Sequence, residues 1–161
     1  DWQNNGIMEW HRSNGPRPTK IIMLQLRKER SEPFTHQYIV LILSDDCILR
    51  LDRRGDEDNP MDAMKSDGSE SIDTVEDVNS LSELDKTSYT LAEVHCQGGD
   101  VDLSNIIKIC FGIHIDDKAR HYTLQRFNCY FFSWTILVAT ARHAVPWETL
   151  PFDSPWETLS E

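Results

Sequence analysis

Cys129 is the residue in this chain best placed for nucleophilic chemistry. It follows Asn128, a preferred helix N-cap, and lies near the start of the apolar stretch 126–143. That stretch ends in Arg142 and His143, which suit the negative end of a helix dipole, and Pro146 stops the helix soon after. A thiol in a first helical turn faces unpaired amide hydrogens and the positive end of the dipole. Both favour the thiolate, the nucleophilic form of cysteine. The same position also suits a small residue packing a helix end, because free cysteine is among the most buried residue types. A base within reach of the sulfur separates the two readings. His36 starts an apolar run, while His95 ends another run and His121 lies eight residues before Cys129; the last two are rival bases.

The elements that must position these groups follow from pattern. In residues 126–143 the apolar side chains go round the whole helical wheel, which predicts a buried central helix. It is shorter than the about 20 apolar residues that span a bilayer. Residues 34–43 form a nearly continuous apolar strand headed by His36. Ser44, Asp45 and Asp46 supply turn chemistry, and Cys47 to Arg53 return as a partner strand. Period-two alternation puts Arg50 and Asp52 on one face of the return strand, with Arg50 roughly opposite Ile39 or Val40. Residues 20–28 and 88–96 read as further strands, and Arg30 to Pro33 as a turn. Leu103, Ile106, Ile107, Cys110 and Phe111 mark a helical face, with Asp100 or Asp102 as its N-cap. The fold class is therefore α+β, an antiparallel sheet packed on a buried helix.

Tyr122, Leu124, Asn128, Cys129 and Phe132 match a Tyr-x-Leu-x-x-x-Asn-Cys-x-x-Phe pattern. This resembles the motif of the lecithin:retinol acyltransferase-like proteins, which group with NlpC-type peptidases and deSUMOylating isopeptidases. The resemblance covers roughly residues 20–54 and 89–143. It implies a circularly permuted papain-like fold, in which a histidine at the start of a hairpin strand precedes the cysteine; His36 holds that place. In the acyltransferase-like branch a second histidine orients the first, and Arg50 stands at its position. An arginine cannot accept the imidazole proton, so Asp52 is the candidate orienter. The isopeptidase branch works with a Cys–His dyad. A similar Asn-Cys-Tyr-Phe-Phe stretch occurs in fungal proteins and implies no activity.

The expected chemistry is that of a cysteine-dependent thiol hydrolase, a peptidase or isopeptidase more than a lipid acyl transferase. His36 acts as base to Cys129, and a thioester forms on the sulfur. The Cys129 amide and the Gln125 side chain are the candidate oxyanion donors. The substrate is then a protein or acyl compound, with no cofactor and no metal. The competing class is a non-catalytic protein-binding module on the same fold, which Arg50 favours. A toxin or effector that cleaves a host protein is a third possibility.

The 161 residues fit one domain, with 39% hydrophobic and 27% charged residues. A net charge of −11 argues against nucleic acid and anionic membrane as partners. Residues 55–86 contribute −9 of it, with eleven acidic residues against Lys65 and Lys86. Within 20–143, the stretch 55–88 reads as a solvated acidic loop insertion, with a short helical piece near 71–81 through Ile72, Val75 and Val78. It lacks the calcium-loop pattern. Residues 1–19 read as an irregular arm whose Trp2 and Trp10 can pack on the body. The tail 144–161 repeats Pro-Trp-Glu-Thr-Leu at 146–150 and 155–159, suited to packing or to a protein partner. Cys47, Cys96, Cys110 and Cys129 have no C-x-x-C spacing. With no signal-peptide pattern at the start, a reducing, cytoplasmic setting is expected.

Overall fold

The apolar runs around residues 20–54 form the middle of an antiparallel sheet. A computed structural model describes residues 2–13, 19–31, 35–96 and 101–144. In it β1 (Ile21–Glu29), β2 (Gln37–Leu43), β3 (Ile48–Gly55), β4 (Ser69–Val78), β5 (Ser88–His95) and β6 (His121–Tyr122) pair in the order β5-β1-β2-β3-β4-β6. The described α-helices are α1 (Gly6–Ser13), α2 (Leu81–Thr87), α3 (Leu103–Ile115) and α4 (Cys129–Ala144). This is an α+β architecture.

Burial on both faces explains the unbroken apolar character of β2. Ile39, Leu41 and Leu43 enter the main core with residues of α3 and α4, while Tyr38 and Val40 form a second cluster with Leu84 of α2. The β2–β3 turn is closed by a bond from the Leu43 amide to the Cys47 carbonyl, 2.9 Å. Asp46 takes a left-handed φ of 64°, which aspartate tolerates. Arg50 lies opposite Val40, within the expected register. Asp102 caps α3 and forms a capping box with Asn105, and Ile106, Cys110 and Ile113 face the core.

Four expectations need correction. Residues 2–13 of the expected irregular arm are not irregular: a 3-10 turn (Trp2–Asn4) leads into α1, which sends Ile7 into the core, while 1 and 14–18 lie outside the described residues. Trp2 packs against Phe111, ring centroids 5.4 Å apart, and Trp10 donates to Asp77 at 3.0 Å. The acidic stretch 55–88 is not a bare loop. It holds the ten-residue β4, which pairs with β3 from Ile48↔Val78 to Gly55↔Ser71, followed by α2. The helical spacing of Ile72, Val75 and Val78 therefore misleads, and Ile72 is exposed. Nor is α4 buried all round. Phe132, Ser133, Ile136, Leu137 and Thr140 face inward, whereas Trp134 and Val138 are 47% and 48% exposed. Residues 32 and 33 of the expected turn, residue 34 of the expected strand and 145–161 of the tail lie outside the described residues.

A buried ion pair joins β4 to β3 beside their backbone ladder. Arg53 and Asp73 are both fully buried and joined by two bonds, Nε to Oδ1 at 2.6 Å and Nη2 to Oδ2 at 2.8 Å. Arg53 also donates to the Ala119 carbonyl at 2.7 Å and stacks over the Phe132 ring at 4.8 Å. This bidentate pair fixes β4 to β3 and both to the loop before β6.

Candidate active site

The start of α4 is organised by its cap. The Asn128 side chain accepts from the amides of Tyr130 (3.0 Å) and Phe131 (3.2 Å). Cys129 is thereby set as the first helical residue, 5% exposed, at the positive end of the helix. Tyr130, on the same turn, reaches back to the chain leading into β2. Its hydroxyl donates to the Thr35 carbonyl at 2.6 Å. That bond ties the segment carrying His36 to the first turn of α4.

His36 and Cys129, ninety-three positions apart in the chain, meet side chain to side chain. The Nε2 of His36 bonds Asp52 Oδ1. Asp52 Oδ2 is held by Arg50, with Nη2 at 2.7 Å and Nε at 3.1 Å. Arg50 also reaches Glu29 at 2.9 Å and lies 3.8 Å above the Tyr38 ring. Arginine at the second-histidine position thus does not orient His36 directly; it holds the carboxylate that does. The sulfur has two further neighbours. The Gln37 backbone amide and the Tyr122 hydroxyl lie close enough to favour its charged form.

The electrostatics follow from these contacts. Burial disfavours the charged form of His36, but the bonds to Asp52 and Cys129 outweigh it and raise its pKa to about 9. Burial also opposes a Cys129 thiolate. The bond from His36, the Gln37 amide, the charge on His36 and the Tyr122 hydroxyl together win, so the thiol is held below its ordinary value. Asp52 is likewise buried, yet His36 and Arg50 keep its carboxyl below the usual range. These directions favour a thiolate–imidazolium pair backed by a carboxylate.

Cys129, His36 and Asp52 lie together at the start of α4. Gln125 does not join them. It is exposed and lines a neighbouring groove of about 720 Å³ with Thr123, Arg126 and Lys65. The loop 123–128 turns its side chain outward, while the donors at the sulfur come from β2 and β6. His95 is exposed on edge strand β5 beside Glu93, and His121 accepts from Arg120 at 3.2 Å. Tyr122 and Tyr130 were not singled out from sequence as functional residues. Their signal lay in the motif itself, which contains Tyr122 and places Tyr130 directly after the cysteine.

Among the described residues no group of three or more His, Cys, Asp or Glu could hold a metal ion. No described helix is long and apolar enough to cross a membrane. A thiolate at a helix start, a protonated imidazole and a carboxylate can together carry out nucleophilic attack on a carbonyl and proton transfer to its leaving group. Comparison with family models, curated proteins and solved structures finds no match, so this site stands on its own geometry.

Proposed function

We propose that the protein is a cysteine-dependent acyl hydrolase or transferase of the permuted papain-like kind, with Cys129 as nucleophile and His36 as its acid and base. The observation that carries the reading is the Cys129–His36–Asp52 relay at the start of α4. The thiolate Sγ attacks a carbonyl carbon and forms a C–S bond. The leaving amine or alkoxide departs with the proton of His36, and a thioester remains. Neutral His36 then takes a proton from water or an acyl acceptor, which attacks the thioester. The C–S bond breaks, and the thiolate and imidazolium return. Asp52 occupies Nε2, which leaves Nδ1 for this traffic, and it stabilises the imidazolium without itself being protonated. A peptide or isopeptide carbonyl is the favoured substrate class.

A broad electrophilic cysteine probe tests the reading at pH 6 to 7. Wild type should label at Cys129. Cys129→Ser should not label there, and His36→Ala should slow labelling by about 10- to 100-fold, as loss of an activating base does. Equal labelling of wild type and His36→Ala overturns the assignment. One observation favours the alternative, a binding module: Cys129 exposes only 5% of its surface. Labelling of wild type as slow as a buried thiol would support that alternative.

A further inference from the structure

Two guanidinium groups open onto one groove on the α2 side of the sheet. The groove holds about 550 Å³ and is lined by Glu29, Arg30, Ser31, Arg50 and Thr87, with no apolar side chain among these five. Such a lining suits a small charged ligand rather than an apolar one. Glu29 is its one carboxylate, against two arginines. In a chain of net charge −11, a cationic excess at one opening is a local exception that draws anions.

Backbone bonds fix the walls. The Arg30 amide donates to the Thr87 carbonyl at 2.9 Å, which joins the end of β1 to the end of α2. The Glu29 amide donates to the His36 carbonyl at 2.8 Å. Arg50 Nη2 is shared between Glu29 Oε1 at 2.9 Å and Asp52 Oδ2 at 2.7 Å. Of these two carboxylates Glu29 is the one near solvent, its side chain 25% exposed against 5% for Asp52. The Arg30 guanidinium lies 5.2 Å from the Tyr89 ring centroid, and no described carboxylate pairs with it.

We infer that this groove binds a phosphate group, which takes the place of Glu29 at Arg50 and pairs with Arg30 as well. Charge decides between the oxyanions. A carboxylate carries one negative charge and would only exchange with the carboxylate of Glu29. A phosphate monoester carries nearly two at neutral pH, and it matches two arginines once Glu29 has turned to solvent. The planar guanidinium also pairs with phosphate oxygens two at a time. Asp52 keeps its bonds from Arg50 Nε and Nη2, so the ligand rests on the support of His36 without dismantling it. The site needs neither Cys129 nor an acyl substrate, and so goes beyond the function proposed above.

Calorimetric titration of the whole chain at about pH 7.5 tests it, with ionic strength held constant by sodium chloride. Inorganic phosphate and phenyl phosphate should bind wild type at one site, and acetate about tenfold more weakly or less. Arg30→Ala should weaken phosphate by about 10- to 100-fold, the loss of one charge-assisted partner. Glu29→Gln should tighten it by about tenfold, because the competing charge is gone. That gain separates this groove from a general attraction of anions to surface cations. Phenyl phosphate binding as well as inorganic phosphate identifies a monoester as the ligand; inorganic phosphate binding alone identifies the free ion. Acetate binding as tightly as phosphate overturns the inference, as does a wild type that gives no heat beyond the sodium chloride control. Arg30→Ala binding like wild type, or Glu29→Gln binding more weakly, also overturns it, because the anion then sits elsewhere. Circular dichroism checks each variant, and Glu29→Gln decides if Arg30→Ala does not fold. None of these outcomes depends on whether Cys129 labels.

Discussion

Cys110 and Cys129 are both buried cysteines on core helices, yet their thiols are pushed in opposite directions. Cys110 lies in the middle of α3 with no exposed surface. Burial drives its pKa up, and Asp73 adds to the shift. Cys129 is nearly as enclosed, but it sits at a helix start with His36, the Gln37 amide and the Tyr122 hydroxyl around the sulfur. Depth of burial therefore does not decide reactivity. What decides it is whether the polar groups that reach the sulfur favour its charged form by more than burial disfavours it.

A similar contrast lies on β3. Asp52 and Arg53 are neighbours, and both are buried in ion pairs. Arg53 spends its donors on a carboxylate and a carbonyl, so its pair with Asp73 is closed and fixes β4 and the loop before β6. Asp52 ends in an imidazole, which passes its charge on to a thiol. A closed pair stabilises one arrangement; an open relay keeps a proton available.

The sharpest way to break the comparison is to alkylate both cysteines in one sample at pH 6. An unperturbed thiol, at its ordinary value of 9.0, is about one part in 1,000 thiolate there, and Cys110 is lower still. A Cys129 held as thiolate at that pH reacts up to about 1,000-fold faster than the Cys110 peptide, measured by mass spectrometry. Comparable rates would mean that the relay does not activate its sulfur. Next in size is Asp73→Ala, which strands the Arg53 charge. It should destabilise the fold by about 3–5 kcal/mol in a denaturant melt and leave the pH profile of Cys129 alkylation unmoved. A shifted profile would mean that the closed pair also serves the site.

The smallest expected effect is that of Asp52→Asn, which removes the main support of the raised His36 pKa. The folded value of about 9 should fall toward 6.5, seen as a shift of the His36 ring signal in an NMR titration. The sign for stability is fixed by the same shift. The contribution of His36 is complete below its ordinary 6.5 and is lost as pH rises through about 9. Asp52, held below its ordinary 3.8, contributes above that pH and loses the contribution as acid protonates it. The variant should therefore flatten the fall of stability between about pH 6.5 and 9. An unchanged slope would assign the raised value to another group.

The hairpin and the capped helix were legible because their signals are local. The apolar run of β2, the turn at Ser44 to Asp46 and the Asn128 cap each lie within a few residues. β4 was not legible: its burial depends on Asp73 meeting Arg53, twenty positions earlier, so its sequence reads as an acidic loop. α1 was missed for a related reason, since only Ile7 of its residues is fully buried. α4 was read as buried all round because apolar content does not reveal which face turns to the core, and Trp134 and Val138 stay about half exposed.

By itself the sequence determined that a thiol opens a capped helix and that a histidine heads a hairpin strand. Those facts rest on side-chain chemistry and on periods of two and 3.6 residues. Only the tertiary structure decided which of the three candidate histidines meets the sulfur, that Asp52 rather than Arg50 faces the imidazole, and that Tyr122 rather than Gln125 stands beside the thiol. Such contacts depend on strand register and on the packing of α4 against the sheet. A one-residue slip in the register of β3 would turn Arg50 and Asp52 to the other face.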